Sequence, residues 1–193
     1  MLVSDQFPDP ILIIQKLNGE PKKSAEGCFK TYGDPSSGLR NSAIDYLVKP
    51  NGLTEMEEGV DFIISRAVLE HVNDLDGTML DMKKALKKDG LAVHQVDLKS
   101  HGLHKNNRLD FLTWPSILWR MMYSQKGVPN RIRISGYRRS IEKASLIPIL
   151  LDPILLADIN EVVEVKHNLA REFRNISNED LSWLGFWMVL KKD

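Results

Sequence analysis

Residues 61–98 read DFIISRAVLEHVNDLDGTMLDMKKALKKDGLAVHQVDL, and the fold class turns on how this stretch alternates. "VDFIIS", starting at Val60, is a nearly continuous apolar run, which predicts a strand buried on both faces. "DGTMLDMKKALKKDG" predicts a helix. Met79, Met82 and Leu86 fall on one stripe, Asp76 is placed to cap the start, and Gly90 to take the left-handed position at the end. "LAVHQVDL" is a second strand. The order strand, helix, helix, strand has the length of a crossover between parallel strands.

Outward from this unit the pattern continues. Upstream, "AIDYLVKP" (43–50) reads as a strand stopped by Pro50, and Asn51-Gly52 as a turn. Residues 18–41, rich in Gly, Ser, Lys and Pro, read mostly as loop with a short helix near Cys28, and "LVSD" as a strand stub ending at Asp5. Asp9-Pro10 is a helix-start signal, and "ILIIQKL" after it fits helix or strand. Downstream, "SGYRRSIEKAS" reads as a helix and "LIPILLDP" as a strand. "INEVVEVKHNLAREF" is ambiguous, Ser177 is cap-like, and "LGFWMVLKK" is a final strand. The whole predicts one α/β domain over 1–193 with a mainly parallel sheet. Residues 98–134, with Trp114, Trp119, Tyr123, Arg120, Arg131 and Arg133, are too long for a plain connection and read as a lid-like insertion.

Composition narrows the function. Lys plus Arg number 26 and Asp plus Glu 26, which excludes a broad electrostatic grip on nucleic acid or anionic membrane. "RIRISGYRR" (131–139) is then a solvated basic face. The single cysteine fits a reducing cytoplasm, and no apolar run has the length of a membrane span. In sheets of this class ligands bind beyond the carboxyl ends of the strands. That directs attention to Asp5, to Asn51 and Gly52, to Ser65 through His71, and to Asp97 through His101.

The strand followed by "LEHV", the helix, the "LKKDG" turn and the next strand resemble the second half of class I S-adenosylmethionine-dependent methyltransferases. The "LKKDG" turn departs from the family's "LKPGG"-like pattern in its proline and first glycine. The resemblance is fullest over residues 43–100 and implies a Rossmann-like fold, S-adenosylmethionine as cofactor, and methyl transfer to a small molecule or a sugar oxygen. It also implies residue roles. Asp5 matches the acid that holds the ribose hydroxyls. Asn51, Gly52 and Leu53 lie near the adenine, and Ser65, Arg66 and Ala67 line the methionine side. The family's first strand and its glycine-rich loop have no counterpart upstream of Asp5. The expectation is therefore an N-terminally incomplete member, inactive alone unless "ILII", another segment or a partner chain fills the gap. A non-catalytic remnant serving as an interaction domain is the alternative, and an enzyme using another nucleotide a third reading.

Within that frame His71 and His101 are the candidate catalytic bases, since imidazole exchanges protons near neutral pH. Glu70 and His71 are adjacent, so on a helix they point about 100° apart. By strand alternation His94 and Asp97 face opposite sides of the sheet, and His94 reads as a buried histidine. Glu70, His71 and His101 form a carboxylate–imidazole set, but no His-x-x-x-His spacing is present, so no metal is expected. The aromatic and arginine residues of the insertion suit a sugar or a phosphate-bearing acceptor, or else pack a satellite core with the arginines facing water.

Overall fold

The computed structural model describes residues 29–31, 34–39, 53, 56–122 and 129–193, the first two segments as backbone. Asp5, Asp9-Pro10, "ILIIQKL", Cys28, "AIDYLVKP", Asn51, Gly52 and Tyr123 lie outside the described residues. The chain divides into two units, Met1–Pro50 and Asn51–Asp193. In the first, β1 (Phe29–Thr31) and β2 (Asp34–Leu39) pair antiparallel, with Phe29 opposite Leu39 and Thr31 opposite Asp34. A loop is expected there. The segment lacks the apolar alternation that announces a hairpin, so its pairing has no side-chain signature.

The second unit carries a four-stranded sheet in the order β3-β4-β6-β5, made of β3 (Val60–Arg66), β4 (Leu86–Asp97), β5 (Ile147–Leu156) and β6 (Trp183–Lys191). β3 and β4 are parallel, with Ser65 opposite His94 and Arg66 opposite Gln95. β6 runs antiparallel to both β4 and β5. Three strands thus point one way and β6 opposes them, and the protein is α/β with a Rossmann-like sheet, as expected.

Helix α1 (Leu75–Ala85) crosses from β3 to β4. Its cap is Asp74, whose Oδ1 accepts from the Gly77 amide at 2.9 Å, and not the expected Asp76. Asp76 instead accepts from Ser140 Oγ and from Lys143 Nζ, which ties α1 to α3 (Ile134–Ala144). The expected end also differs. Leu86 already belongs to β4, and the left-handed residue of the turn is Asp89, at φ 61°, not Gly90. Gly90 is required for space: a Cβ there would stand 2.8 Å from the Lys87 carbonyl oxygen and 3.2 Å from that of Asp61.

Two apolar clusters hold this unit together. In the first, Met79 and Met82 of α1 and Tyr137 and Ile141 of α3 close over Ala92 and Val96 of β4 and over Phe186, Met188 and Leu190 of β6. Each such buried side chain contributes about 1.5–3 kcal/mol. β3 does not have the two-sided burial its sequence suggests. Phe62 is 51% and Ile64 70% exposed, because among the described residues helices cover only the opposite face, where Ile63 packs. The second cluster joins the insertion to the later chain. Phe111, Leu112 and Trp119 pack with Val162 and Val165 of α4 (Ile159–Lys166) and with Leu181 of α5 (Asn178–Ser182). Here the ambiguous segment resolves as helix, started by a capping box between Asp158 and Glu161. The insertion itself contributes α2 (Ser116–Met122). Among the described residues no helix is long and apolar enough to cross a membrane.

Candidate functional site

The carboxyl ends of β3 and β4 lie side by side, and each is followed by a sharp left-handed residue: Ala67 at φ 53° and His101 at φ 53°. Non-glycine residues adopt this conformation at a cost of roughly 1–2 kcal/mol, and such outliers gather where function requires them. Beyond Ala67 a single 3-10 turn, Leu69–His71, carries the candidate pair. Beyond Asp97 the chain folds back so that the His101 and His71 rings meet edge to face, with centroids 5.0 Å apart.

Glu70 and His71 diverge at the backbone, as their adjacency dictates, yet their tips do not separate. One ligating atom each from Glu70, His71 and His101 lies within 4.8 Å of the other two. Glu70 is 1% exposed. Neither of its carboxylate oxygens makes a hydrogen bond of normal geometry, and neither does His71 Nδ1, which is also buried. Burial pushes the Glu70 carboxyl above its usual range. Its own amide, His71 and the Asp97 amide pull the other way, near enough to soften the charge but not to satisfy it. Asp97 Oδ2 stands 3.8 Å from His101 Nε2, while Oδ1 accepts from the Lys99 amide.

Asn130, which nothing in the sequence singles out, fastens the turn. Its amide donates to the Glu70 carbonyl at 2.7 Å, and its side-chain nitrogen donates to the carbonyls of Leu69 and Val72, each at 3.0 Å. The only signal was its place at the end of an unusually long insertion.

The other expected residues divide. Arg66 and Ala67 are exposed at the strand end. Ser65 Oγ shares a 2.7 Å hydrogen bond with Nδ1 of the buried His94, so its hydroxyl serves the sheet's helix-covered face and not the rim. Burial depresses the His94 imidazole to about 4. Leu53 is half-buried against the first cluster.

The insertion arginines correct a further expectation. Arg131 and Arg133 do not face water: both are buried and bonded within the protein. Arg131 donates to the carbonyls of Phe111 and Trp114 and lies over the Trp119 ring at 4.8 Å. Arg133 is buried and donates to the carbonyls of Leu98, Leu181 and Trp183. Both nevertheless lie in the wall of a cavity of about 890 Å³, with Arg120 and Arg139 and with Asn73, Asn130, Ser135 and Glu172. Asn73 and Asn130 place this cavity beside the Glu70 turn.

The family model described as "Methyltransferase domain" matches residues 20–145. No curated protein matches the sequence. Among solved structures, an S-adenosylmethionine dependent methyltransferase from Mesorhizobium loti is 12% identical over 70% of this chain and 64% of its own, with a TM-score of 0.43. Geranyl diphosphate C-methyltransferase from Streptomyces coelicolor A3(2) is 12% identical over 76% of this chain and 50% of its own, at 0.40. Phosphoethanolamine N-methyltransferase 2 from Haemonchus contortus is 14% identical over 70% of this chain and 34% of its own, at 0.39. This chain therefore spans between about a third and two thirds of the length of the structures it matches.

Proposed function

We propose, from the premise that this chain belongs to the methyltransferase-domain family, that its activity is S-adenosylmethionine-dependent methyl transfer to the oxygen of a small-molecule or sugar acceptor. One observation carries the oxygen-acceptor reading: two histidines from separate segments, His71 and His101, meet 5.0 Å apart at the carboxyl ends of the parallel strands. A hydroxyl is a poor nucleophile until its proton is removed, and a base within hydrogen-bond reach of it is what such a transfer asks of the protein.

The described residues fit the cofactor where they can be compared. The end of β3 is open, with Arg66, Ala67 and Val68 exposed. Ala67 carries only a methyl group at the left-handed position, which leaves the backbone approachable. Arg66 and Ala67 would line the methionine side, with Arg66 the cation for its carboxylate, and Leu53 would offer an apolar wall toward the adenine. When bound, the cofactor supplies an electrophilic methyl on a sulfonium. The chain's own residues do the rest. The insertion helps wall a cavity whose Arg120 and Arg139 suit a phosphate-bearing or polyhydroxylated acceptor, and an acceptor reaching past Asn73 and Asn130 to the neighbouring turn would give its hydroxyl proton to His71 or His101.

Isothermal calorimetry with S-adenosylhomocysteine tests the cofactor half. Heat of binding is expected, and its absence would turn the assignment toward a non-catalytic interaction domain. For the acceptor half, His71→Ala and His101→Ala are assayed for product by mass spectrometry. One of them should lower the rate by about 10²–10⁴-fold while S-adenosylhomocysteine binding stays intact. Unchanged rates in both would remove the base assignment.

A further inference from the structure

We infer that Glu70, His71 and His101 form a binding site for one divalent transition-metal ion, a site the sequence spacing does not announce. The site is empty. The central fact is Glu70. A carboxylate 1% exposed, with neither oxygen in a normal hydrogen bond, is costly to leave as it stands. The protein has two ways to relieve it: protonation, or a cation. The surroundings favour the cation. Two imidazoles stand beside the carboxylate, one with its Nδ1 buried and unpartnered. All three ligating atoms fall within 4.8 Å of one another. A carboxyl group kept merely neutral needs no such company, and its burial among apolar side chains would suffice.

The donor set identifies the chemistry. Two nitrogens and one carboxylate oxygen suit Zn²⁺, Co²⁺, Fe²⁺ or Mn²⁺ over Mg²⁺ or Ca²⁺, which prefer oxygen alone. Ligands about 2 Å from such an ion stand roughly 3.5 Å apart, so the tips close by about an ångström on binding. That adjustment is within reach of His101, whose side chain is one-third exposed. Asp97, 3.8 Å from His101 Nε2, is placed to orient that ring. Asn130 holds the turn carrying the other two ligands through three hydrogen bonds. Three protein ligands leave at least one position open, which is the pattern of a reactive rather than a structural centre. An acceptor oxygen bound there would lose its proton more readily, and the two rings would then serve as ligands instead of bases. The site itself does not depend on the methyl-transfer reading, because the ion is detected with no cofactor or acceptor present.

The experiment is a titration of the full chain, stripped with chelator, with Co²⁺, followed by visible d–d absorption. Saturation at a single equivalent is expected, with Zn²⁺ displacing the band. Glu70→Gln, which keeps the shape of the side chain, and His101→Ala should each weaken binding by at least about 100-fold, while the exposed His167→Ala leaves it unchanged. Circular dichroism checks that the variants are folded. Thermal melts give a second readout: Zn²⁺ raises the melting temperature of the wild type and not that of Glu70→Gln. No band, or a band that survives both ligand substitutions, would overturn the assignment. Metal binding without S-adenosylhomocysteine binding would uphold this site and sink the transferase reading alone.

Discussion

His94 shows how a single residue is governed by its depth. It sits on the face of β4 covered by α1 and α3, 1% exposed, with Ser65 as its polar contact. Burial depresses it from 6.5 to about 4. The neutral ring is therefore the form the fold accepts. Between those two values the unfolded chain takes up a proton that the native chain does not. The stability this provides is whole above pH 6.5 and is lost as pH falls toward 4, at most about 3 kcal/mol. Urea midpoints at pH 7.5 and 4.5 should show the drop, and His94→Gln should flatten it. Glu161 is held at about 2 by the Arg108 guanidinium, so its contribution fades lower, as pH falls through its folded value. An acid limb confined below pH 4 would point to the carboxylates and away from His94. That His94 would be buried could be read from its apolar neighbours in the strand. That His71 and His101 sit at neighbouring strand ends could be read as well, but the close approach of Glu70 to both rings could not. It depends on a left-handed turn at His101 and on Asn130, some sixty positions from the turn it fastens, and neither leaves a periodic trace.

At the level of elements, the irregular start of β4, where its register with β3 shifts, separates two demands that a "Gly-Gly" pair would meet together. Asp89 holds the left-handed backbone angle, and Gly90 provides clearance. Asp89→Gly should therefore stabilise the protein, by less than about 1 kcal/mol, since the relief of strain is offset by chain entropy and by the exposed pair with Lys191. Gly90→Ala should destabilise it by about 1–3 kcal/mol, because the new methyl meets two backbone carbonyl oxygens that cannot retreat. Denaturant midpoints of the two variants moving in opposite directions would confirm the division. Equal shifts would contradict it. The helices and strands around this point are legible from periodicity. The start of α1 is less so, because Asp74 and Asp76 are equally good caps on paper and only the position of Ser140 and Lys143 on α3 engages the second of them.

Across the whole 51–193 unit, Arg133 links regions far apart in sequence. Its guanidinium joins Leu98, the residue just past β4, to Leu181 and to the first residue of β6, Trp183. Burial lowers it to about 10, which leaves it charged at neutral pH. Removing it strands three carbonyls, so Arg133→Ala should cost about 3–5 kcal/mol, read as a lower urea midpoint. A change below about 1 kcal/mol would mean that those carbonyls are satisfied otherwise. The insertion arginines look like surface or substrate-binding residues in the sequence because composition cannot distinguish a guanidinium that caps carbonyls from one that meets water. The sheet order carries a separate consequence for how the polypeptide emerges from the ribosome. β6 follows β5 in the chain but lies between β4 and β5, so both earlier strands leave the exit tunnel before the one that zips them together. Until it arrives, their inner edges are open to any extended segment nearby, and this interval in synthesis is when the nascent protein most needs a chaperone.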